Sequence, residues 1–263
     1  MGLGDQLIGA GLAKGAAAKG KIIAFGDGKR ILWDANSPVI WRGNPNIANP
    51  KATAMNVNTH LQMEWIPFYK GNRLYNKHAP GHWIWNYDFH CTPGEIYLTK
   101  EEKQYARMAG QDFILIEPNP SPKSPVANKQ WPMERYETVA RTLRGHGHDV
   151  LQLNYRGAKL LKSVRVFPCH NFRIALAIME RAKLFIGGEG GLHHGAAAVG
   201  VPGVVLFGGF IPPSVTGYEM HANLTGGAEA CGSLNPCPHC AAAMQAIGAD
   251  EVLEHAMARL CPP

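Results

Sequence analysis

The chain has 263 residues, of which 46% are hydrophobic and 17% are charged, a balance typical of a folded protein and not of a disordered one. No run of about 18 apolar residues occurs, and the Ala- and Gly-rich stretch 9–21 carries three lysines, so composition excludes a membrane span and a signal peptide. The net charge of +6 favours an anionic partner, although modest basicity also serves solubility alone. We therefore expect a cytoplasmic protein whose six cysteines are thiols or metal ligands and not disulfides.

Strands and helices alternate along the chain, most clearly from Phe113 onward. The predicted elements are a helix beginning near Gln6, strands 21–25 and 31–34, an irregular aromatic segment 59–97, strand 113–117, helix 132–145, strand 149–153, helix 171–182, strand 184–187, helix 192–199, strand 203–207 and helix 249–260. This order predicts an α/β protein with a parallel sheet covered by helices. A split near residue 112 gives two domains of ordinary size, 1–112 and 113–263.

The segment from Gly187 to Ala198 combines a strand end, a glycine-rich turn and a short helix. A helix N-terminus presents free backbone N–H groups to an anion, so this turn predicts a phosphate site. The glycine spacing does not fit a dinucleotide-binding fingerprint, and no Gly-Lys-Ser/Thr phosphate loop is present.

Three segments, in order along the chain, resemble glycosyltransferase family nine, the heptosyltransferase-like enzymes. They are Leu3-Gly4-Asp5-Gln6-Leu7-Ile8, the strand and loop 114–120 with Asn128-Lys129-Gln130-Trp131-Pro132, and the glycine-rich turn and helix followed by Pro202 and Phe207-Gly208. Glu189 stands where the family usually has Asp, and Gly190 where it has Ser or Thr. The resemblance covers most of the chain from Phe113 onward but only the first turn before it.

The resemblance implies a GT-B-like architecture, in which two Rossmann-like parallel-sheet domains face a central cleft. Residues 1–112 would bind the acceptor and residues 113–263 the nucleotide sugar. The implied reaction is an inverting transfer from a nucleotide-diphosphate sugar to an acidic acceptor, with lipopolysaccharide core leading and no catalytic metal. The implied location is the cytoplasm, at the inner membrane surface, or a host cytoplasm if the protein is phage-encoded. Sugar, nucleotide and oligomeric state are not predicted.

The resemblance also implies roles for individual residues. Asp5 corresponds to the family's catalytic base, although an Asp at this spacing could equally cap the first helix. The predicted donor-binding residues are Lys129, Glu189, Gly190, Gly191, His194 and Asn119. Lys129 precedes a Trp-Pro helix start, where its ammonium would face the diphosphate. His194 would either contact the donor or brace the loop.

Cys231, Cys237 and Cys240 form a knuckle, and Cys261 follows near the C-terminus. Four thiolates can close a tetrahedral site, so we expect a structural zinc or iron ion that pins the last helix. His239 and His255 are possible substitute ligands, and unrelated buried thiols are the alternative.

Two other functions are compatible with these patterns. The basic, aromatic segment 65–97 could stack on bases, which favours a glycosyltransferase acting on modified bases of DNA, as in phage-type hypermodification. The same segment with the cysteine knuckle could instead belong to a non-enzymatic, metal-stapled nucleic-acid-binding protein. The alternative role for these aromatic residues is a small N-terminal core.

Overall fold

A computed structural model describes residues 2–50, 62–67, 73–119 and 126–260. The predicted ligand Cys261 and two aromatic residues of the segment 65–97, Phe68 and Tyr69, lie outside these ranges.

The helices are α1 (Leu3–Ala17), α2 (Ser37–Trp41), α3 (Lys100–Arg107), α4 (Met133–Gly145), α5 (Phe172–Met179), α6 (Gly191–Ala198), α7 (Pro213–Thr216), α8 (Pro238–Ala246) and α9 (Ala249–Leu260). The strands are β1 (Lys21–Gly26), β2 (Gln62–Pro67), β3 (Asn76–Ala79), β4 (His82–Trp85), β5 (Phe113–Glu117), β6 (Val150–Asn154), β7 (Arg165–Pro168), β8 (Ala182–Gly188), β9 (Gly203–Leu206) and β10 (His221–Leu224). A 3-10 turn spans Val126–Lys129. None of the helices in the described ranges has the length and hydropathy of a membrane span.

Six parallel strands form the main sheet, in the order β10-β9-β8-β5-β6-β7. Leu115 of β5 pairs with Phe185 of β8 on one side and Leu151 of β6 on the other, and all three side chains are fully buried. Strands buried on both faces need continuous apolar runs, which is how β5 and β8 read in the sequence. The predicted α/β fold class with a parallel sheet is confirmed.

The N-terminal part carries smaller sheets than the main one. β1 and β2 form a parallel pair, and β3 and β4 form an antiparallel hairpin. The predicted strand 31–34 is wrong, because Ile31 is the only one of these residues that forms a β-bridge, with Gly26 at the end of β1. The Asp34 carboxylate then accepts the backbone N–H groups of Asn36 and Ser37, which turns the chain into α2. The segment predicted to be irregular, 59–97, contains β2, β3 and β4.

Helix α1 joins the two parts of the molecule. It begins at Leu3, earlier than predicted, and one apolar cluster contains Leu7 and Trp41 together with Phe113 and Phe185. The core on this face of the main sheet is therefore continuous across the predicted boundary at residue 112, and that boundary stays a prediction. A second cluster, on the other face, is formed by residues that include Trp131, Tyr136, Val204 and Val252.

Candidate active site

A cleft of about 910 Å³ opens at the carboxyl ends of the main-sheet strands. Ligands of parallel α/β sheets bind at this edge, because the loops that follow the strands meet there. One wall consists of residues that end strands or directly follow them: Glu117 and Asn119 at β5, Tyr155 and Arg156 after β6, Cys169 to Phe172 after β7, and Gly188 to Leu192 at β8. A second wall consists of the start of α1 and the β3–β4 region, including Asp5, Arg73, Tyr75, Trp83 and Trp85.

Asp5 lies in the first turn of α1 and faces the cleft. Its carboxylate accepts the Gly2 N–H at 2.7 Å and the Tyr75 hydroxyl, and it lies 3.0 Å from the Arg73 guanidinium. Burial, and then the Asp5 charge, raise the pKa of Tyr75 well above its ordinary value, so Tyr75 remains a neutral donor. Helix capping and exposure to the cleft are thus both present at Asp5, and the catalytic role stays a prediction.

Lys129 and Glu189 form an ion pair on the other wall. The Glu189 side chain is 5% exposed, so burial opposes its ionisation, but the Lys129 ammonium and the nearby His194 ring outweigh burial and lower the pKa of this carboxyl. The Lys129 ammonium also lies 4.9 Å from the centre of the Phe210 ring. A fixed cation therefore stands beside the glycine-rich turn.

His194 lies in the first turn of α6, between Glu189 and Tyr218. Its Nδ1 is 2.8 Å from the Tyr218 hydroxyl, and its Nε2 is 3.7 Å from a Glu189 oxygen. A Cβ on Gly4 would come within 2.7 Å of the His194 ring, so α1 and α6 touch here without room for a side chain. The predicted bracing contacts exist, and a donor contact stays a prediction.

Gly190 has φ +156° and ψ −159°, a conformation reserved for glycine. A Ser or Thr, which the family usually has here, would strain this turn. The conformation therefore gives a physical reason why this chain has glycine where the family usually has Ser or Thr. Gly191 opens α6 and lines the cleft.

Asn119 and Glu117 form a polar pair where β5 ends. The Asn119 side chain donates to Glu117 at 2.8 Å, and it exchanges hydrogen bonds with the backbone of Lys159 at 2.8 and 3.0 Å. Burial raises the pKa of Glu117 to about 7, against the hydrogen bonds from Asn119 and Tyr155. Sequence reasoning selected Asn119 but missed Glu117. The available signal was an acid that ends the apolar strand Phe113-Ile114-Leu115-Ile116.

The described cysteines of the knuckle converge. Cys231 Sγ lies 3.2 Å from Cys240 Sγ and 3.9 Å from Cys237 Sγ. Thiolates about 2.3 Å from a tetrahedral zinc are separated by similar distances, so this donor set fits a structural ion. His239 Nε2 instead lies 2.8 Å from the backbone oxygen of Glu229.

The loop 231–235 of this knuckle contacts both walls of the cleft. The buried Asn128 side chain, next to Lys129, accepts the Cys237 N–H at 2.9 Å and donates to the backbone oxygens of Ser233 and Asn235 at 2.9 and 2.8 Å. On the other side, Gly232 accepts the N–H of Trp83 in the β3–β4 hairpin at 2.8 Å. The predicted link to the last helix depends on Cys261, which lies outside the described residues.

Two buried histidines, His193 on α6 and His221 at the start of β10, give a test of stability against pH. Within the described ranges, neither ring nitrogen of His193 or His221 has a hydrogen-bond partner. Burial is the main cause that lowers the pKa of both histidines, that of His193 well below 6.5 and that of His221 to about 4. The unfolded chain therefore binds more protons as the pH falls below 6.5, and each histidine removes up to about 1.4 kcal/mol of stability per pH unit.

Glu117 has the opposite effect, because its pKa is raised in the folded chain and it stabilises the fold as the pH falls from 7 towards 4.5. We expect the free energy of unfolding to decrease as the pH falls from 6.5 to 4.5, because the two histidines outweigh Glu117 and the lowered pKa of Glu189 adds to the loss near pH 4.5. His221→Gln should make this decrease smaller, by up to about 1.4 kcal/mol per pH unit. Urea unfolding at pH 6.5, 5.5 and 4.5 measures it, and equal slopes in both proteins would contradict the assignment.

The sequence profile of glycosyltransferase family 9 (heptosyltransferase) matches residues 74–236, which is more than half of the chain. The chain belongs to glycosyltransferase family 9. This membership confirms the family resemblance and the expectation of a glycosyltransferase, while the segment Leu3-Gly4-Asp5-Gln6-Leu7-Ile8 lies outside the matched residues. The non-enzymatic nucleic-acid-binding alternative gains no support from the family.

Two solved structures share the family fold over nearly the whole chain. A family 9 glycosyltransferase from Veillonella parvula is 15% identical, with a TM-score of 0.63, over 99% of this chain and 95% of its own. TibC, described as an iron-containing dodecameric glycosyltransferase from enterotoxigenic E. coli, is 14% identical, with a TM-score of 0.65, over 99% of this chain and 74% of its own. At these identities the likeness concerns the fold alone.

A third solved structure is similar over a shorter part. The ADP-heptose lipopolysaccharide heptosyltransferase II of E. coli is 17% identical over 69% of this chain, with a TM-score of 0.47. The chain spans 55% of the length of that protein. No curated protein matches the chain by sequence.

Proposed function

We propose that this chain transfers a sugar, with inversion, from a nucleotide-diphosphate donor to an acidic acceptor. The observation that carries the proposal is the placement of a carboxylate, Asp5, on one wall of a cleft whose other wall holds Lys129 and the N-terminus of α6. Such transfer needs a base for the acceptor hydroxyl and positive groups for the departing diphosphate. The cleft supplies both.

The donor half of the proposal is supported by charge and backbone geometry. Lys129 lies beside the turn where Gly190 and Gly191 open α6, and backbone N–H groups at a helix start favour a phosphate. When the diphosphate binds, Lys129 would share its charge between the ligand and Glu189. Departure of the leaving group then needs no metal ion in the cleft.

The acceptor half of the proposal is supported by the groups around Asp5. A carboxylate held by Gly2, Tyr75 and Arg73 keeps a fixed direction towards the cleft. The base would take the proton of the acceptor hydroxyl as that oxygen attacks the anomeric carbon from the face opposite the diphosphate. Arg73 lines the same wall and offers a positive charge to an anionic acceptor, for which lipopolysaccharide core is the leading class.

The donor proposed first is ADP-heptose, because the TibC structure was also determined with ADP-D-beta-D-heptose and shares this fold with a TM-score of 0.52. Nucleotide sugars should be screened by thermal unfolding, followed by transfer to lipopolysaccharide core. We expect ADP-heptose to raise the midpoint of unfolding and the product to have the inverted anomeric configuration by NMR. The absence of both stabilisation and nucleotide release with every nucleotide sugar would overturn the proposal.

We also propose that Cys231, Cys237 and Cys240 hold one structural zinc or iron ion, with Cys261 as the fourth ligand. Closed sulfur coordination leaves no open position for substrate, so the ion would brace the loop 231–235 and would not take part in the chemistry.

The metal proposal makes a prediction that elemental analysis can check. Protein purified without chelators should contain about one zinc or iron per chain, and Cys240→Ser should reduce the metal content and lower the midpoint of thermal unfolding. Cys169→Ser, at a thiol that follows β7, is the matched control and should retain the metal. If neither protein contained stoichiometric metal, the metal proposal would be wrong and the three cysteines would be ordinary thiols.

A further inference from the structure

Glu117 is a buried acid whose hydrogen-bonding capacity is only half used. It ends β5, lines the cleft and is 4% exposed. Its Oε1 accepts the Asn119 backbone N–H at 2.9 Å, the Asn119 amide at 2.8 Å and the Tyr155 hydroxyl at 3.4 Å. Within the described residues, Oε2 has no partner.

An acceptor buried without a partner destabilises a fold, so a vacant carboxylate oxygen in a ligand cleft points to a ligand that donates to it. The groups that face Glu117 come from four places: Asn119 after β5, Tyr155 after β6, Tyr136 on α4 and Cys169 after β7. All four are uncharged at neutral pH, because burial raises the pKa of both tyrosines and of the thiol. None of these four groups donates a hydrogen bond to Oε2.

The position of Glu117 selects the ligand group. Its register partner is Gly187 on the neighbouring strand β8, which leads directly into the proposed phosphate turn at Gly190. Adjacent strands lie about 4.8 Å apart, and Glu117 and Gly190 line the same cleft, so a nucleotide sugar held by its diphosphate at this turn would pass near Glu117. The groups of that ligand that offer paired donors are vicinal hydroxyls, on the ribose or on the transferred sugar.

We propose that Glu117 is a hydroxyl-recognition residue of the donor site, accepting hydrogen bonds through Oε2 from vicinal hydroxyls of the nucleotide sugar. This inference rests on the proposed donor. It has a consequence for protons: donors at Oε2 favour the ionised carboxylate, so Glu117, which has a pKa of about 7 in the free protein, releases about half a proton at pH 7 when the ligand binds.

The test compares the wild type with Glu117→Gln and with the control Glu134→Gln, at an exposed acid in α4. Calorimetry with ADP, 2′-deoxy-ADP and ADP-heptose gives affinities, and titration in buffers of different ionisation enthalpy gives the protons released. Subtracting the Glu117→Gln value removes protons that come from the phosphate. Gln reproduces the neutral carboxyl in shape, so the variant should fold, which thermal unfolding checks.

We expect Glu117→Gln to bind ADP-heptose about 10- to 100-fold more weakly and to release about half a proton less, while Glu134→Gln matches the wild type. If the hydroxyls belong to the ribose, Glu117→Gln should weaken the binding of ADP by the same factor, and 2′-deoxy-ADP should bind both proteins with equal affinity. If the hydroxyls belong to the transferred sugar, the affinity for ADP should be the same in both proteins.

Equal affinity and equal proton release for all ligands in both proteins would overturn the role of Glu117 while leaving the donor site standing. A wild type that binds neither ADP nor ADP-heptose would instead overturn the proposed donor, and this inference with it.

Discussion

Asp5→Asn should lower the turnover of sugar transfer by about 100- to 10,000-fold, the range typical for removal of a general base. Asn keeps the side-chain oxygen that accepts the Gly2 N–H, so the start of α1 should survive. It cannot take the proton of the acceptor hydroxyl. Turnover under saturating donor and acceptor, measured as nucleotide release, gives the effect.

Binding separates this outcome from simple misfolding. The affinity for ADP should stay within about twofold of the wild type, because Asn keeps the shape of Asp5 and the proposed diphosphate contacts are at Lys129 and the start of α6. Asp88→Asn, an exposed aspartate in the turn after β4, is the isosteric control and should be fully active. Near-normal turnover in Asp5→Asn would remove Asp5 from the mechanism.

Lys129→Met should lower the free energy of unfolding at neutral pH by about 3–5 kcal/mol, the usual effect of leaving one member of a buried ion pair without its partner. Glu189 is the charge left behind, with its side chain 5% exposed. The double variant Lys129→Met with Glu189→Gln should recover most of the loss. Urea unfolding of the single and double variants measures both values.

The same pair of substitutions tests the diphosphate role without the stability effect. Compared with Glu189→Gln alone, the double variant should bind ADP about 10- to 100-fold more weakly, because a charge-assisted phosphate contact contributes about 1.5–3 kcal/mol. Adenosine should bind the two variants equally. Equal losses for ADP and adenosine would contradict a phosphate contact at Lys129.

The part of the fold from Phe113 onward could be predicted because its sequence is locally consistent. β5 and β8 each contain a continuous apolar run, 113–116 and 184–186, and the glycine-rich turn precedes an alanine-rich helix, so the hydrophobic pattern and the turn residues predict the same elements. The predicted site residues from this part, including Lys129, Glu189 and His194, lie together in one cleft. Their order after successive strands was enough to bring them to one edge of the sheet.

The other wall could not be predicted, because its position depends on contacts between distant parts of the chain. Tyr75 reaches Asp5 across 70 residues, and no local pattern marks that pairing. β3 and β4 are only four residues each and mix His, Lys and Trp, so they lack clean alternation. Glu117 was missed because burial, which makes it unusual, follows from the loops after β6 and β7 and not from its neighbours in sequence.

The hydrogen bonds of the loop 231–235 tie together segments that are distant in sequence. This loop binds the β3–β4 hairpin through Gly232 and the Lys129 turn through Asn128, so the hairpin is N-terminal in sequence but is attached to the C-terminal part of the fold. The two segments on either side of residue 112, expressed apart, would each expose apolar surface and lack binding partners. Cutting the chain elsewhere, at an exposed loop, is therefore the better route to a two-piece enzyme.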